Sequence, residues 1–221
     1  MDEHRQLTGC IFPGGTMIDW YDYERAPSTN QYTTGILPVE CLILHYTAGY
    51  SAASSVSWFC DPESSKASAH FVVDRDGHVT QCVSLQHRAW HAGGGTSRWR
   101  GKPVNRISIG IEIANLGPVH RENGLLYDAY GKLFKGPTVA AANGSLWEEY
   151  PKSQIDAVHT LCQRLCTDFP VLTLRDEHPV ELPRICGHQH VDPTRKTDPG
   201  PAFPMEFFQN SLAHRRMNAP K

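Results

Sequence analysis

Apolar and polar positions change period several times along the chain, and each change marks an element. Residues 37–45 (Leu-Pro-Val-Glu-Cys-Leu-Ile-Leu-His) form a short apolar run ending at His45. A run of this length reads as a buried central strand. Residues 51–60 then carry small and apolar groups in a helical pattern behind Ser51, a suitable N-cap. Residues 69–75 and 78–84 alternate, with Asp76-Gly77 between them. That is a hairpin signal, because a tight turn needs φ > 0 and glycine supplies it at little steric cost. Residues 107–113 alternate as well: Ile107, Ile109, Ile111 and Ile113 share one face, and Ser108, Gly110 and Glu112 the other.

Residues 117–149 show little periodicity and read as a long insertion. Residues 152–168 fit an amphipathic helix, with Ile155, Val158, Leu161, Cys162, Leu165 and Cys166 at helical spacing. Residues 183–188 read as another short strand, ending at His188. Residues 192–204 hold four prolines and one glycine, a shaped loop, and 205–215 a terminal helix. Residues 1–37 are polar and turn-rich, and read as a wrapping arm of the same domain. The predicted class is therefore α/β: a central mixed β-sheet flanked by helices, in one domain running over 38–221.

Composition changes this picture in few places. The 221 residues fit one domain, and 40% apolar with 20% charged residues is ordinary for a globular chain. A net charge of -2 predicts no affinity for nucleic acid or for an anionic membrane surface. No stretch approaches 18 apolar residues, so no membrane insertion is expected. The first residues, Met-Asp-Glu-His-Arg, lack a basic segment followed by an apolar one, so no signal peptide is expected. Seven cysteines, an odd number with no C-x-x-C pair, read as mostly reduced and buried, which favours cytoplasmic synthesis. Action outside the cell of origin would then need lysis or a signal-independent route. Twelve histidines are an unusual number and modestly favour a metal or catalytic site. No feature of the sequence assigns a protein partner.

Two apolar strands end in histidine, at His45 and His188, and Asp198 follows in Thr197-Asp198-Pro199-Gly200-Pro201. Strand ends at a sheet's rim are where side chains converge on a cleft. Two imidazoles and a carboxylate suit zinc, with a fourth position open. The plainer alternative is two strand-end histidines and an aspartate capping a proline turn. Glu112 would serve as a proton acceptor and donor if its face lines the cleft; otherwise it is a salt-bridged or exposed strand residue. Lys196 would stabilise an oxyanion, or is a solvated loop lysine.

Several segments together resemble one family. They are Leu44-His45-Tyr46-Thr47-Ala48-Gly49, residues 68–77, Arg88-Ala89-Trp90-His91-Ala92-Gly93, residues 105–112, and Gly187-His188 followed by residues 193–203. They are collinear, cover most of 40–205, and resemble the N-acetylmuramoyl-L-alanine amidases related to peptidoglycan recognition proteins, above all the branch that recycles anhydro-muropeptides. The resemblance implies a Zn2+ cofactor held by His45, His188 and Asp198. It implies Glu112 as the acidic catalytic residue and Lys196 as the oxyanion-stabilising one. It places Trp90 and His91 on a loop beside the cleft, with Tyr46 and Arg195 as further substrate contacts. The implied substrate is peptidoglycan or its muropeptide fragments, and the implied reaction is hydrolysis of the bond between N-acetylmuramic acid and L-alanine.

Departures from the family pattern qualify the reading. Ala69 stands where other branches carry tyrosine before the His70 position, and Asp198 where the phage branch uses cysteine. Gln189-His190 replaces the usual Ser-Asp, which would put His188 and His190 on one strand face and make His190 a rival or supporting group. The 117–149 insertion is long for the family and reads as a cleft wall or lid. The main alternative is a non-catalytic peptidoglycan-binding module.

Overall fold

The computed structural model describes residues 20–32, 37–63, 66–93, 97–174 and 182–212. Most of the expected N-terminal arm, Cys10, and the end of the terminal helix lie outside them. In chain order the elements are β1 (Glu24–Arg25), β2 (Gln31–Tyr32), β3 (Cys41–Tyr46), α1 (Ala52–Cys60), β4 (Phe71–Val73), β5 (Val79–Gln81), β6 (Arg88–Ala89), β7 (Arg98–Trp99) and β8 (Lys102–Pro103). There follow β9 (Ser108–Ile113), β10 (Pro118–Glu122), β11 (Leu125–Tyr127), β12 (Leu133–Phe134), β13 (Thr138–Ala140) and β14 (Leu146–Glu148). The chain continues through α2 (Lys152–Asp168), β15 (Ile185–Gly187), α3 (His188–Val191) and α4 (Met205–Leu212).

The main sheet has the order β1-β5-β4-β9-β3-β15. Strands β4, β9, β3 and β15 run parallel, while β5 is antiparallel to β4 across the Gly77 turn, whose φ is +92°. Leu42, Leu44, Phe71, Val73, Ile109, Ile111 and Ile113 point to one face and pack with Val158, Leu161, Cys162 and Leu165 of α2 and Phe208 and Leu212 of α4. Each of the five Leu and Ile side chains is inaccessible to solvent, worth roughly 1.5–3 kcal/mol apiece relative to exposure. Gln154 is a buried polar residue on α2. Its amide donates to the carbonyls of Val73 and Ala114 (3.2 and 2.9 Å), tying the helix to the strand ends.

Ile107 departs from the expected isoleucine face. It closes the 3-10 turn Val104–Arg106 with ψ 3°, so the extended alternation begins only at Ser108. Ile107 therefore joins Cys41, Ile43, Trp99, Val104 and Cys186 in a core on the other side of the sheet.

Residues 117–149 are also more regular than their sequence pattern predicts. They form an antiparallel sheet of order β12-β11-β10-β14-β13, with Leu116, Val119 and Phe134 at its centre. Two Asn-Gly pairs, Asn123-Gly124 and Asn143-Gly144, make two of its three hairpin turns. Asn123, Gly124 and Gly144 have positive φ, the backbone that tight hairpins require. The strands are short and only thinly covered, which hides the period-2 signal while leaving the turn signal readable.

The six described cysteines, Cys41, Cys60, Cys82, Cys162, Cys166 and Cys186, are free thiols, all but Cys60 buried. No helix among the described residues is long and apolar enough to cross a membrane.

Candidate active site

Parallel pairing brings the chemistry together at one end of the sheet. In the β3–β9 ladder His45 lies opposite Glu112, and in the β15–β3 ladder Gly187 lies opposite Leu44. The residue after Gly187 therefore emerges beside His45. This is the carboxyl end of the parallel strands, the usual rim for a site in such sheets. His188 opens α3 instead of ending a strand. The expected His188-x-His190 pair on one strand face is thus replaced by a helical turn. His190 turns back so that its Nδ1 accepts from the Gly187 amide (2.9 Å).

The loop after α3 returns Asp198 to the same point. The Asp198 carbonyl accepts from the Gln189 amide (2.9 Å). A Cβ on Gly187 would lie 2.3 Å from the Pro199 ring, so the close approach of this loop requires glycine there. Three side-chain atoms then converge. His45 Nδ1 is 2.8 Å from Asp198 Oδ2 and 3.0 Å from His188 Nδ1, and His188 Nδ1 is 3.1 Å from Asp198 Oδ2. All three residues are buried, and among the described residues they form the one group of histidine, cysteine or acidic side chains placed to hold a metal ion. Burial pushes the His45 imidazole pKa down to about 4, which keeps it neutral, as a ligand must be.

These residues sit in a cavity of about 680 Å³, lined also by Tyr46, Trp58, Glu112, Tyr130, Arg195 and Lys196. Glu112 Oε2 is buried and has no hydrogen-bond partner. Burial, reinforced by the charge of Asp198 and opposed by Lys196, raises the Glu112 carboxyl well above its ordinary range. A raised carboxyl in a cleft is suited to proton transfer near neutral pH. Tyr46 presents its hydroxyl to Thr197 Oγ1 (2.9 Å), and Arg195 clamps Asp192 Oδ2 through Nε and Nη2 (2.9 and 2.6 Å).

Two expected substrate contacts are placed differently from the rest. Trp90 packs edge-on against Tyr32 and does not line the cavity. His91 does line it, but both ring nitrogens are engaged, by His45 Nε2 (2.9 Å) and by Ser108 Oγ (3.0 Å). His70 is a core residue: Nε2 donates to the His87 carbonyl (3.1 Å) and Nδ1 accepts from the Gly110 amide (3.0 Å).

The inserted sheet forms part of the cleft's surroundings. Tyr130 lines the cavity and donates to the Ala48 carbonyl (2.9 Å), and Tyr50 bonds Asp128. Arg75 pairs with both oxygens of Glu148 at 2.9 Å, and Trp147 packs against Tyr46 with ring centroids 6.4 Å apart. Trp58 and Tyr130 are two of the cavity residues that the sequence pattern did not single out. Their positions depend on where α1 and the insertion dock, which no local period encodes.

Comparison with known proteins gives the family and the fold. The family model for N-acetylmuramoyl-L-alanine amidases matches residues 36–201. The 1,6-anhydro-N-acetylmuramyl-L-alanine amidase AmpD of Salmonella typhimurium is 28% identical over 156 residues, 69% of this chain and 62% of that protein. The N-acetylmuramoyl-L-alanine amidase AmiD of Escherichia coli is 27% identical over 209 residues, 90% of this chain and 62% of that one. The chain thus spans somewhat under two thirds of the length of these relatives. Among solved structures, an AmpD derivative superposes with a TM-score of 0.58 at 23% identity, covering 90% of this chain and all of that one, which shows a shared fold. The complex of E. coli AmiD with anhydro-N-acetylmuramic acid-L-Ala-D-gamma-Glu-L-Lys gives a TM-score of 0.58 at 26% identity, covering 83% of this chain and 62% of that one. With three quarters of its length matched to one family model, this chain belongs to the N-acetylmuramoyl-L-alanine amidase family.

Proposed function

We propose that this protein hydrolyses the amide between N-acetylmuramic acid and L-alanine, in peptidoglycan or in its anhydro-muropeptide fragments. The observation that carries the reading is the convergence of His45 Nδ1, His188 Nδ1 and Asp198 Oδ2 in one cavity with Glu112. The fragment substrates are supported by the ligand bound to the AmiD relative. Residues 38–221 form the catalytic unit in this reading, with 1–37 as its arm and 117–149 as an insertion beside the cleft.

The donor set fits zinc. Two imidazoles and one carboxylate, all buried and mutually 2.8–3.1 Å apart, offer three converging donor atoms to one cation. Bound by His45, His188 and Asp198, Zn2+ would supply Lewis acidity and a lowered pKa for water. Glu112 accepts the proton of the attacking water at its unpaired Oε2 and later delivers it to the departing L-alanine nitrogen. The Lys196 ammonium, on the cavity wall, supports the negative charge that develops on the carbonyl oxygen. Tyr46 and Arg195 contact substrate from the same wall. The five buried thiols support synthesis in a reducing compartment.

The test is mass spectrometry of products from purified sacculi and from soluble anhydro-muropeptides, each with and without a zinc chelator. Stem peptides beginning with L-alanine, lost on chelation and restored by zinc, are expected. Zinc-loaded protein that binds these substrates and releases no stem peptide would instead mark a non-catalytic binding module.

A further inference from the structure

We propose that His91 is a positioning residue of the metal site: through Ser108 it fixes the tautomer of His45, so that His45 can offer only Nδ1 to the ion. The inference rests on the metal reading above and concerns the ring nitrogens of the two histidines that do not face Asp198.

The chain of reasoning starts at a carbonyl. Ser108 Oγ lies 2.7 Å from the Val104 carbonyl oxygen, which can only accept, so the single hydroxyl hydrogen of Ser108 is committed to it. Ser108 Oγ also lies 3.0 Å from His91 Nε2, and with its hydrogen spent it can only accept there. His91 therefore carries its proton on Nε2 and leaves Nδ1 bare. That bare Nδ1 is 2.9 Å from His45 Nε2, which must donate. A neutral His45 with its hydrogen on Nε2 has its lone pair on Nδ1, the atom that faces His188 and Asp198. The opposite polarity would leave Ser108 Oγ and the Val104 oxygen 2.7 Å apart with no hydrogen between them.

The second histidine obeys the same logic independently. Ser97 Oγ lies 2.6 Å from the Ala92 carbonyl and 3.0 Å from Asp192 Oδ2, both acceptors, and 3.1 Å from His188 Nε2. Its one hydrogen goes to an acceptor, so His188 Nε2 donates to it and Nδ1 is bare. Both ligands are thus held as Nδ1 donors of a lone pair by buried serines whose hydrogens are spent elsewhere. Outer partners of this kind fix ring orientation and raise ligand basicity.

The backbone makes room for the first relay. A Cβ on Gly110 would fall 2.3 Å from the His91 ring, so this close packing of strand against ring is available only to glycine. Ser108 and Gly110 share the face of β9 that also carries Glu112, so one strand supplies the proton-transfer carboxylate, the space for His91 and the end of its relay.

Two measurements test the proposal. In the whole protein labelled with 15N-histidine, nitrogen shifts should show His45 and His91 both protonated at Nε2; a proton on His91 Nδ1 would overturn the assignment with or without metal. Zn2+ affinity, from competition with a chromophoric chelator, should fall about 10–100-fold in His91→Leu, which has no acceptor. It should largely recover in His91→Asn, whose side-chain oxygen can take the place of Nδ1. Equal affinities in the two folded variants would also overturn it. A wild-type protein that binds no zinc would sink the metal reading alone, since the tautomers are read separately.

Discussion

His45 and Glu112 face one another as register partners in the parallel β3–β9 ladder. A ligand-type imidazole and a half-buried carboxyl group are thereby fixed at the same height of the sheet by backbone hydrogen bonds rather than by loop geometry. A site held by strands is stiff, so removing one function should leave the other in place.

Glu112→Ala should therefore retain stoichiometric zinc while turnover falls by about 10²–10⁴-fold, the usual loss of a general acid-base group. Metal content by plasma mass spectrometry and stem-peptide release by chromatography separate the two effects. Undiminished turnover would remove Glu112 from the mechanism.

His45→Ala and Asp198→Ala should each lose zinc as well as activity, because each removes one of three converging donors. Retained stoichiometric metal in both variants would point to a different ligand set.

Gly110→Ala should disturb the site without touching it. The added methyl meets the His91 ring at 2.3 Å, so the ring must leave the position in which it bonds His45. A rise in the zinc dissociation constant is expected, together with a stability loss of about 1–3 kcal/mol from overpacking. Unchanged zinc affinity in folded protein would show that the ring relaxes at no cost to the ligand.

Tyr130→Ala removes an aromatic side chain, 64% exposed, that the insertion contributes to the cavity wall. We expect a several-fold rise in KM on muropeptides, with kcat and zinc content little changed. Its hydrogen bond to Ala48 is exposed to water, so little stability should be lost. An unchanged KM would place substrate away from this wall.

His70 predicts a pH dependence of stability. Burial lowers its pKa from 6.5 to about 4, and its Nδ1 must stay bare to accept the Gly110 amide. The unfolded chain takes up this proton near pH 6.5 and the folded one only near pH 4. The stability due to neutral His70 is complete above pH 6.5 and is lost as pH falls from there towards 4, by ~3 kcal/mol in all. Denaturant titrations across this range should show a shallower decline in His70→Gln than in the wild type. Parallel curves would refute the assignment.

Much of the fold was legible in short-range pattern. The run ending at His45, the alternation over 108–113, the Gly77 turn and the helix over 152–168 are each set by a period or a turn residue acting over a few positions, and they stand where that pattern puts them. The insertion was less legible, because thinly covered strands carry weak alternation. Its Asn-Gly turns were nonetheless in plain sight.

By itself, the sequence determined which residue types stand at strand ends and within family-like segments, and so named His45, His188, Asp198, Glu112 and Lys196 as the chemistry-bearing set. Tertiary structure alone decided what each touches. Asp198 is 153 residues from His45, and their 2.8 Å approach comes from strand order and a loop folded onto Gly187. His91 is the clearest case. In sequence it is one more histidine of a loop beside the cleft; in the fold, the hydrogen of Ser108 and the missing side chain of Gly110 turn it towards His45. Hydrogen-bond direction depends on which atoms meet across strands distant in the chain, and no local pattern records that.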